Sequence, residues 1–150
     1  MTVSWIGVAA CIGGCRLPEH STARLYSGKA RPQAQVARMY NTDKIGILDV
    51  DGKRVHTMFR WANTPGYIYE LEAGHHRVKV GRIRTAYEII DAPDLTAAFE
   101  YDFLPARTYS FVLFETFDPS RYQWTVKLAD YESGEILAEP TVPPDLNWRR

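Results

Sequence analysis

A chain of 150 residues with 45% hydrophobic and 24% charged residues is long enough to bury one core and too apolar to stay disordered. Its 18 basic residues balance 18 acidic ones with no basic block, which removes the electrostatic case for a nucleic-acid partner. No apolar run approaches the roughly 20 residues that span a bilayer as a helix, and an aromatic content of 13% suits strands better than helices.

The chain opens with Val3 to Gly14 (VSWIGVAACIGG), an uncharged stretch that stops abruptly at Cys15-Arg16. A short apolar segment ending in small residues before a polar one is the pattern of a secretory signal rather than of a core helix. Its end resembles the lipobox of bacterial lipoproteins, an aliphatic and two small residues before a cysteine. Both Ile12-Gly13-Gly14-Cys15 and Val8-Ala9-Ala10-Cys11 have this form. The resemblance implies cleavage before the cysteine and attachment of diacylglycerol to its sulfur. Cys15 is the favoured site, because the longer apolar run and Arg16 suit it; Cys11 is the alternative. Residues 1–15 are read as a signal segment; no Lys or Arg precedes the apolar stretch, and one explanation is a true start upstream of Met1, which an extended reading frame with basic residues would support. The other readings of Cys-x-x-x-Cys are a buried thiol pair, a small disulfide loop or half a metal site. The metal reading lacks further cysteines, and His20, His56, His75 and His76 contain no helical His-x-x-x-His. No cofactor is expected.

Residues 16–31 read as a tether punctuated by Pro18, Ser21, Thr22, Ser27 and Gly28, with Leu25-Tyr26 as a possible short strand. Pro32 to Tyr40 is the one helix candidate: Pro suits a first turn, and Val36, Met39 and Tyr40 share a face at i, i+3, i+4.

Two β-hairpins are expected next. Ile45–Val50, the turn Asp51-Gly52 and a return through Met58 form the first, since Asp-Gly supplies the positive φ that a tight primed turn needs. Tyr67–Glu72, the turn Ala73-Gly74 and His75–Val80 form the second. Tyr67, Tyr69 and Leu71 share one face, Ile68, Glu70 and Glu72 the other; His76, Val78 and Val80 oppose His75, Arg77 and Lys79. Asn63-Thr64-Pro65-Gly66 is a loop between the hairpins, with Trp61 near its base.

Further strands follow. Leu95 to Phe103 alternates, Thr108 to Phe114 is apolar on both faces, and Trp124, Val126 and Leu128 line one face of Gln123–Ala129. Glu135-Ile136-Leu137 is a short last strand, and Pro140, Pro143 and Pro144 open a loose tail over 139–150 that contains Trp148. About eight strands with turns every 8–12 residues predict a mainly all-β domain over 32–138, an antiparallel β-sandwich with one short helix near 32–40.

Strand, Asp51-Gly52, strand, then Leu71-x-Ala73-Gly74-His75 and Val78-x-Val80 resemble the PEGA-type and carboxypeptidase-regulatory-like modules of bacterial envelope proteins. Ala106-x-x-Tyr109-x-Phe111, Trp124-x-Val126 and the Asp130…Ser133-Gly134 turn are similar to small bacterial lipoproteins with such a sandwich. The resemblance spans residues 25–138, with Ala73 standing where such modules often carry Pro. It implies a β-sandwich in the cell envelope and supplies no catalytic residue.

Chemistry-bearing residues are few. Alternation places His75 and His76 on opposite faces, so they do not form one metal pair. Glu70 with Glu72, and Glu100 with Asp102, are carboxylates at i, i+2; as acid and base they would suit glycoside hydrolysis. As surface residues they would find cross-strand partners in Arg77 and Lys79. No Gly-x-Ser-x-Gly, phosphate loop or His-Glu-x-x-His occurs. The reading is therefore a non-catalytic, lipid-anchored envelope domain that binds or scaffolds. It would face the periplasm from the outer membrane, with the membrane and an envelope protein or glycan as partners. A glycan or peptidoglycan module, with Trp61, Tyr67 and Tyr69 as stacking rings, is the alternative; an enzyme of unknown type is the third.

Overall fold

The computed structural model describes residues 22–40, 42, 44–55, 68–85, 88–89, 95–118 and 121–144. Its strands, in chain order, are β1 (Thr22–Arg24), β2 (Val36–Tyr40), β3 (Ile45–Val50), β4 (Lys53–Arg54), β5 (Ile68–Glu72) and β6 (Gly74–Thr85). They continue as β7 (Glu88–Ile89), β8 (Thr96–Phe103), β9 (Thr108–Asp118), β10 (Arg121–Asp130) and β11 (Ile136–Ala138). A six-stranded sheet has the order β1-β5-β2-β9-β10-β11, and a five-stranded sheet runs β4-β3-β6-β7 with β8 also on β6. The all-β class expected from the sequence is present, with more strands than eight. Two neighbours, β1 with β5 and β2 with β9, are parallel rather than antiparallel. No crossover helix is needed for β2 and β9, because the chain between them returns through the other sheet.

The helix expected over 32–40 does not form. A single 3-10 turn, Gln33–Gln35, follows Pro32, and Val36–Tyr40 is strand β2. Ala37 lies opposite Leu71 and Met39 opposite Tyr69, while Arg38 to Tyr40 pair with Thr108 to Ser110 on the other side. Two full ladders outweigh the modest helix propensity of Ala, Gln, Arg and Met. The apolar spacing served either reading, since Ala37 and Met39 alternate into the core.

The second expected hairpin is also absent, for a different reason. Ala73-Gly74 does not fold β6 back beside β5; it carries the chain from the six-stranded sheet to the five-stranded one. Gly74 has φ 138°, a conformation in which a side chain is strained although its Cβ would meet open space. Tyr69 and Leu71 of β5 therefore face Val78 and Val80 of β6 across the core instead of lying next to them. The Asp51-Gly52 turn forms as expected, with φ 54° and 74°. In β3 the pairing slips between Ile47 and Asp49, a bulge that turns Val50 inward opposite Val78.

Between the sheets, Met39, Tyr69, Leu71, Tyr109, Phe111, Trp124 and Val126 meet Ile45, Ile47, Val78, Val80, Phe99 and Phe103. Rings join the layers directly: Phe99 and Phe111 lie 5.3 Å apart, and Phe103 meets Tyr109 edge to face at 4.9 Å. Buried Tyr109 keeps its hydroxyl satisfied by accepting the Leu104 N–H at 2.8 Å.

Both ends of the domain depart from expectation. The segment expected as a tether joins the fold at Thr22: β1 pairs with β5, Leu25 N–H donates to the Glu70 carbonyl at 2.8 Å, and Arg31 ion-pairs with Glu72. The tail is tied down at Val142, which exchanges backbone hydrogen bonds of 2.9 and 3.1 Å with Ala98. Thr141 Oγ1 accepts the Glu100 N–H at 3.0 Å. This strap covers part of the open edge of β8, and Pro140 and Pro143, lacking N–H groups, keep the pairing short.

Replacing Gly74 by Ala should cost about 1–3 kcal/mol, all of it backbone strain, in urea unfolding. Phe99→Ala, which empties a fully buried site between the layers, should cost about 3–5 kcal/mol in the same measurement.

Candidate binding cleft

Four pieces of backbone converge at one end of the sandwich: the segment after β1, the β3–β4 turn, the end of β5 and the start of β6. They surround an open cleft of about 740 Å³. Its floor is apolar, with Leu71 and Val50 buried and Leu25 and Val55 half-buried. Its rim carries three exposed cations, Arg24, Lys53 and Arg54, and two carboxylates, Asp51 and Glu72.

The local fold explains this composition. The primed turn projects Asp51 at the mouth because the residue before Gly52 must adopt φ 54°, which Asp tolerates. From there Asp51 Oδ1 accepts the Arg77 N–H at 2.9 Å, and Oδ2 meets His76 Nδ1 at 2.7 Å. His76 Nε2 lies 2.8 Å from the Glu72 carbonyl. A carbonyl and an ionised carboxylate only accept, so both ring contacts are hydrogen bonds together when the imidazole carries both protons. His76 thus ties the β3–β4 turn to the backbone on the far side of the sheet crossing. Burial alone would raise the pKa of Asp51; the bonds from His76 and the Arg77 N–H overcome it and hold the carboxyl below its ordinary value. Glu72 is engaged by Arg31, whose guanidinium also sits 5.4 Å from the centre of the Tyr26 ring at the cleft wall.

A second, smaller hollow of about 310 Å³ lies at the same end beside Arg107 and Asp130. There Asp130 Oδ1 accepts the N–H groups of Glu132 and Ser133 and the Ser133 hydroxyl, at 3.1, 2.9 and 3.0 Å. These bonds hold its carboxyl below the ordinary value, with Arg107 nearby adding to them. Oδ1 is spent on the turn and Oδ2 faces Arg107 Nε at 3.4 Å, so this is a structural feature.

The sequence candidates are distributed as follows. Tyr69 is 1% exposed and belongs to the core, so its ring offers no face for stacking on a sugar. Trp61, Tyr67, Cys11, Cys15, His20, His56 and Trp148 lie outside the described residues. His75 and His76 do occupy opposite faces: His75 is exposed and pairs with Asp102 at 3.0 Å, while His76 points toward the cleft. Glu70 and Glu72 pair with Arg38 and Arg31, not with Arg77 and Lys79, because β5 and β6 belong to different sheets. Arg77 instead lies opposite Glu100 in the β6–β8 ladder. The two carboxylate sets therefore sit on different sheets and do not flank a common bond. Among the described residues no group of three or more His, Cys, Asp and Glu is placed to hold a metal ion, and no helix is long and apolar enough to cross a membrane.

The cleft itself was not legible residue by residue. Asp-Gly marks where Asp51 turns, but nothing in the sequence announces that His76 bonds to it or that Arg24 lines the same cleft. No protein family, curated protein or solved structure matches the chain.

The Asp51 carboxyl titrates lower in the folded chain than in the unfolded one, so it stabilises the fold above the unfolded value. That contribution fades as pH falls through the folded value. Asn accepts the same turn geometry, so Asp51→Asn should lower stability by about 0.5–1 kcal/mol at neutral pH. The difference from the parent should shrink below roughly pH 4, read by chemical unfolding across pH.

Proposed function

We propose that this chain is a non-catalytic, lipid-anchored domain of the bacterial cell envelope that works by binding or scaffolding, with the end cleft as its recognition surface. One observation carries the reading: the cleft is a preformed, apolar-floored hollow whose carboxylates already hold partners. Asp51 is committed to His76 and Glu72 to Arg31. A carboxylate engaged in this way serves shape and charge rather than proton transfer, which requires a group free to reach substrate. Of the carboxylates at i, i+2, Glu70 is likewise paired with Arg38, and Asp102 lies against His75.

The anchoring part of the reading rests on the Cys15 motif, with Cys11 as the alternative, and on entry to the fold at Thr22 a few residues later. So short a link would hold the sandwich close to the bilayer surface, and stable attachment would require the several acyl chains of a matured lipoprotein. By the same resemblance, Arg16, a residue other than Asp after Cys15, is compatible with an outer-membrane destination in bacteria that use that sorting rule. A glycan ligand would depend on Trp61 and Tyr67, since Tyr69 is committed to the core.

Intact-mass measurement on protein from the membrane fraction of its native host should show a chain beginning at Cys15 or Cys11 with added acyl mass. An unmodified chain in the soluble fraction would sink the anchoring reading.

A further inference from the structure

We infer that the end cleft takes a small amphiphilic anion, an apolar chain ending in a carboxylate or phosphate, with the chain on the Leu71 floor and the charge between Arg24 and Lys53. This deepens the binding reading above and rests on it.

Three features of the cleft point the same way. Its volume of about 740 Å³ falls within the roughly 300–1,000 Å³ of small-molecule sites. Its floor is supplied by Leu25, Val50, Val55 and Leu71, residues that favour an apolar body over a hydrated ion. Its charge balance is the deciding feature. Arg24 and Lys53, with Arg54 beside them, face two carboxylates, one of which, Glu72, is already paired with the surface residue Arg31. Asp51 is bonded to His76 and to the Arg77 N–H, and Glu72 to Arg31. Positive groups outnumber the two acids, so the rim is net cationic, and such a mouth over low-dielectric walls concentrates anions. A neutral ligand would gain the floor alone, and a cationic one would meet the rim's repulsion.

The surroundings of the two cations that would hold the anion do not oppose this assignment. Arg24 Nη1 donates to the Gly28 carbonyl at a long 3.5 Å, a contact that an anion would readily outcompete. Lys53 sits on a two-residue strand at the sheet edge, where its side chain is exposed. Both are therefore close at hand without being needed to close the core.

Methyl NMR on the full chain, titrated below micelle formation with decanoate, decyl phosphate, decanamide and decyltrimethylammonium, tests this. Decanoate or decyl phosphate should shift the methyls of Leu25, Val55 and Leu71, and decanamide should bind at least about tenfold more weakly. The relative strength of the two anions separates a carboxylate source from a phosphate one. Arg24→Gln with Lys53→Gln should weaken the anions by about tenfold or more, whereas Lys44→Gln, beyond the cleft, should not. Raised salt should weaken them further. Equal binding of decanamide, or shifts confined to another surface, overturns the anion assignment and leaves a binding cleft. A cleft that takes none of the four probes overturns the assignment and its use as a recognition surface together. Loss of folding in the double variant would show in its amide spectrum, and the probe series on the parent chain decides the question independently.

Discussion

The architecture depends on the passage at Ala73-Gly74. β5 and β6 each have one face built for burial, and a tight turn would have laid those faces side by side in a single sheet. A third element would then have been needed to cover both. At φ 138° Gly74 sends the chain across instead, and the two faces meet as opposite walls of one core. Each sheet thereby covers the other, which is the stable solution for half-apolar strands. The same crossing creates the cleft, because the chain leaves one sheet and enters the other where the layers begin to part. The Glu72 carbonyl before it and His76 after it are joined by a hydrogen bond, and Asp51 braces His76 from the neighbouring turn.

The two ends of the sandwich are finished differently. At the end away from the cleft, Arg82 of β6 and Glu115 of β9 reach across from opposite sheets and pair at 2.5 Å, partly shielded from water. At the cleft end the polar pairs run along the rim: Asp51 hydrogen-bonded with His76, Glu72 with Arg31, Arg107 with Asp130. Such exposed or half-exposed pairs contribute little to stability. Their effect is to set which charges remain outward at the mouth. The stabilising weight lies in the aromatic contacts between layers, Phe99 on Phe111 and Phe103 on Tyr109, where apolar area and ring geometry combine.

The edges show how the fold limits unwanted pairing. β1 and β11 are three residues each, and β4 is two. β8 is longer, and there Thr141 and Val142 lie against part of its edge. Short or covered edges are how sheets avoid templating other chains.

Alternation in the sequence determined which side chains turn inward. Phe99 and Phe103, Trp124, Val126 and Leu128, and His76 against His75 all stand as period two requires. Asp-Gly likewise determined the primed turn at Asp51-Gly52. Tertiary structure decided which strand lies beside which, because period two describes a strand's faces and carries no information about its neighbours. Hence Val36–Tyr40 became a central strand despite helix-compatible spacing, and a bulge near Leu48 turned Val50 inward. Hence too the Ala73-Gly74 dipeptide became a crossing. The cleft belongs to this second kind of information: Arg24, Asp51, Glu72 and His76 are far apart or differently paired along the chain. They meet because burying both faces of the β5–β6 unit forces the two sheets together at that end.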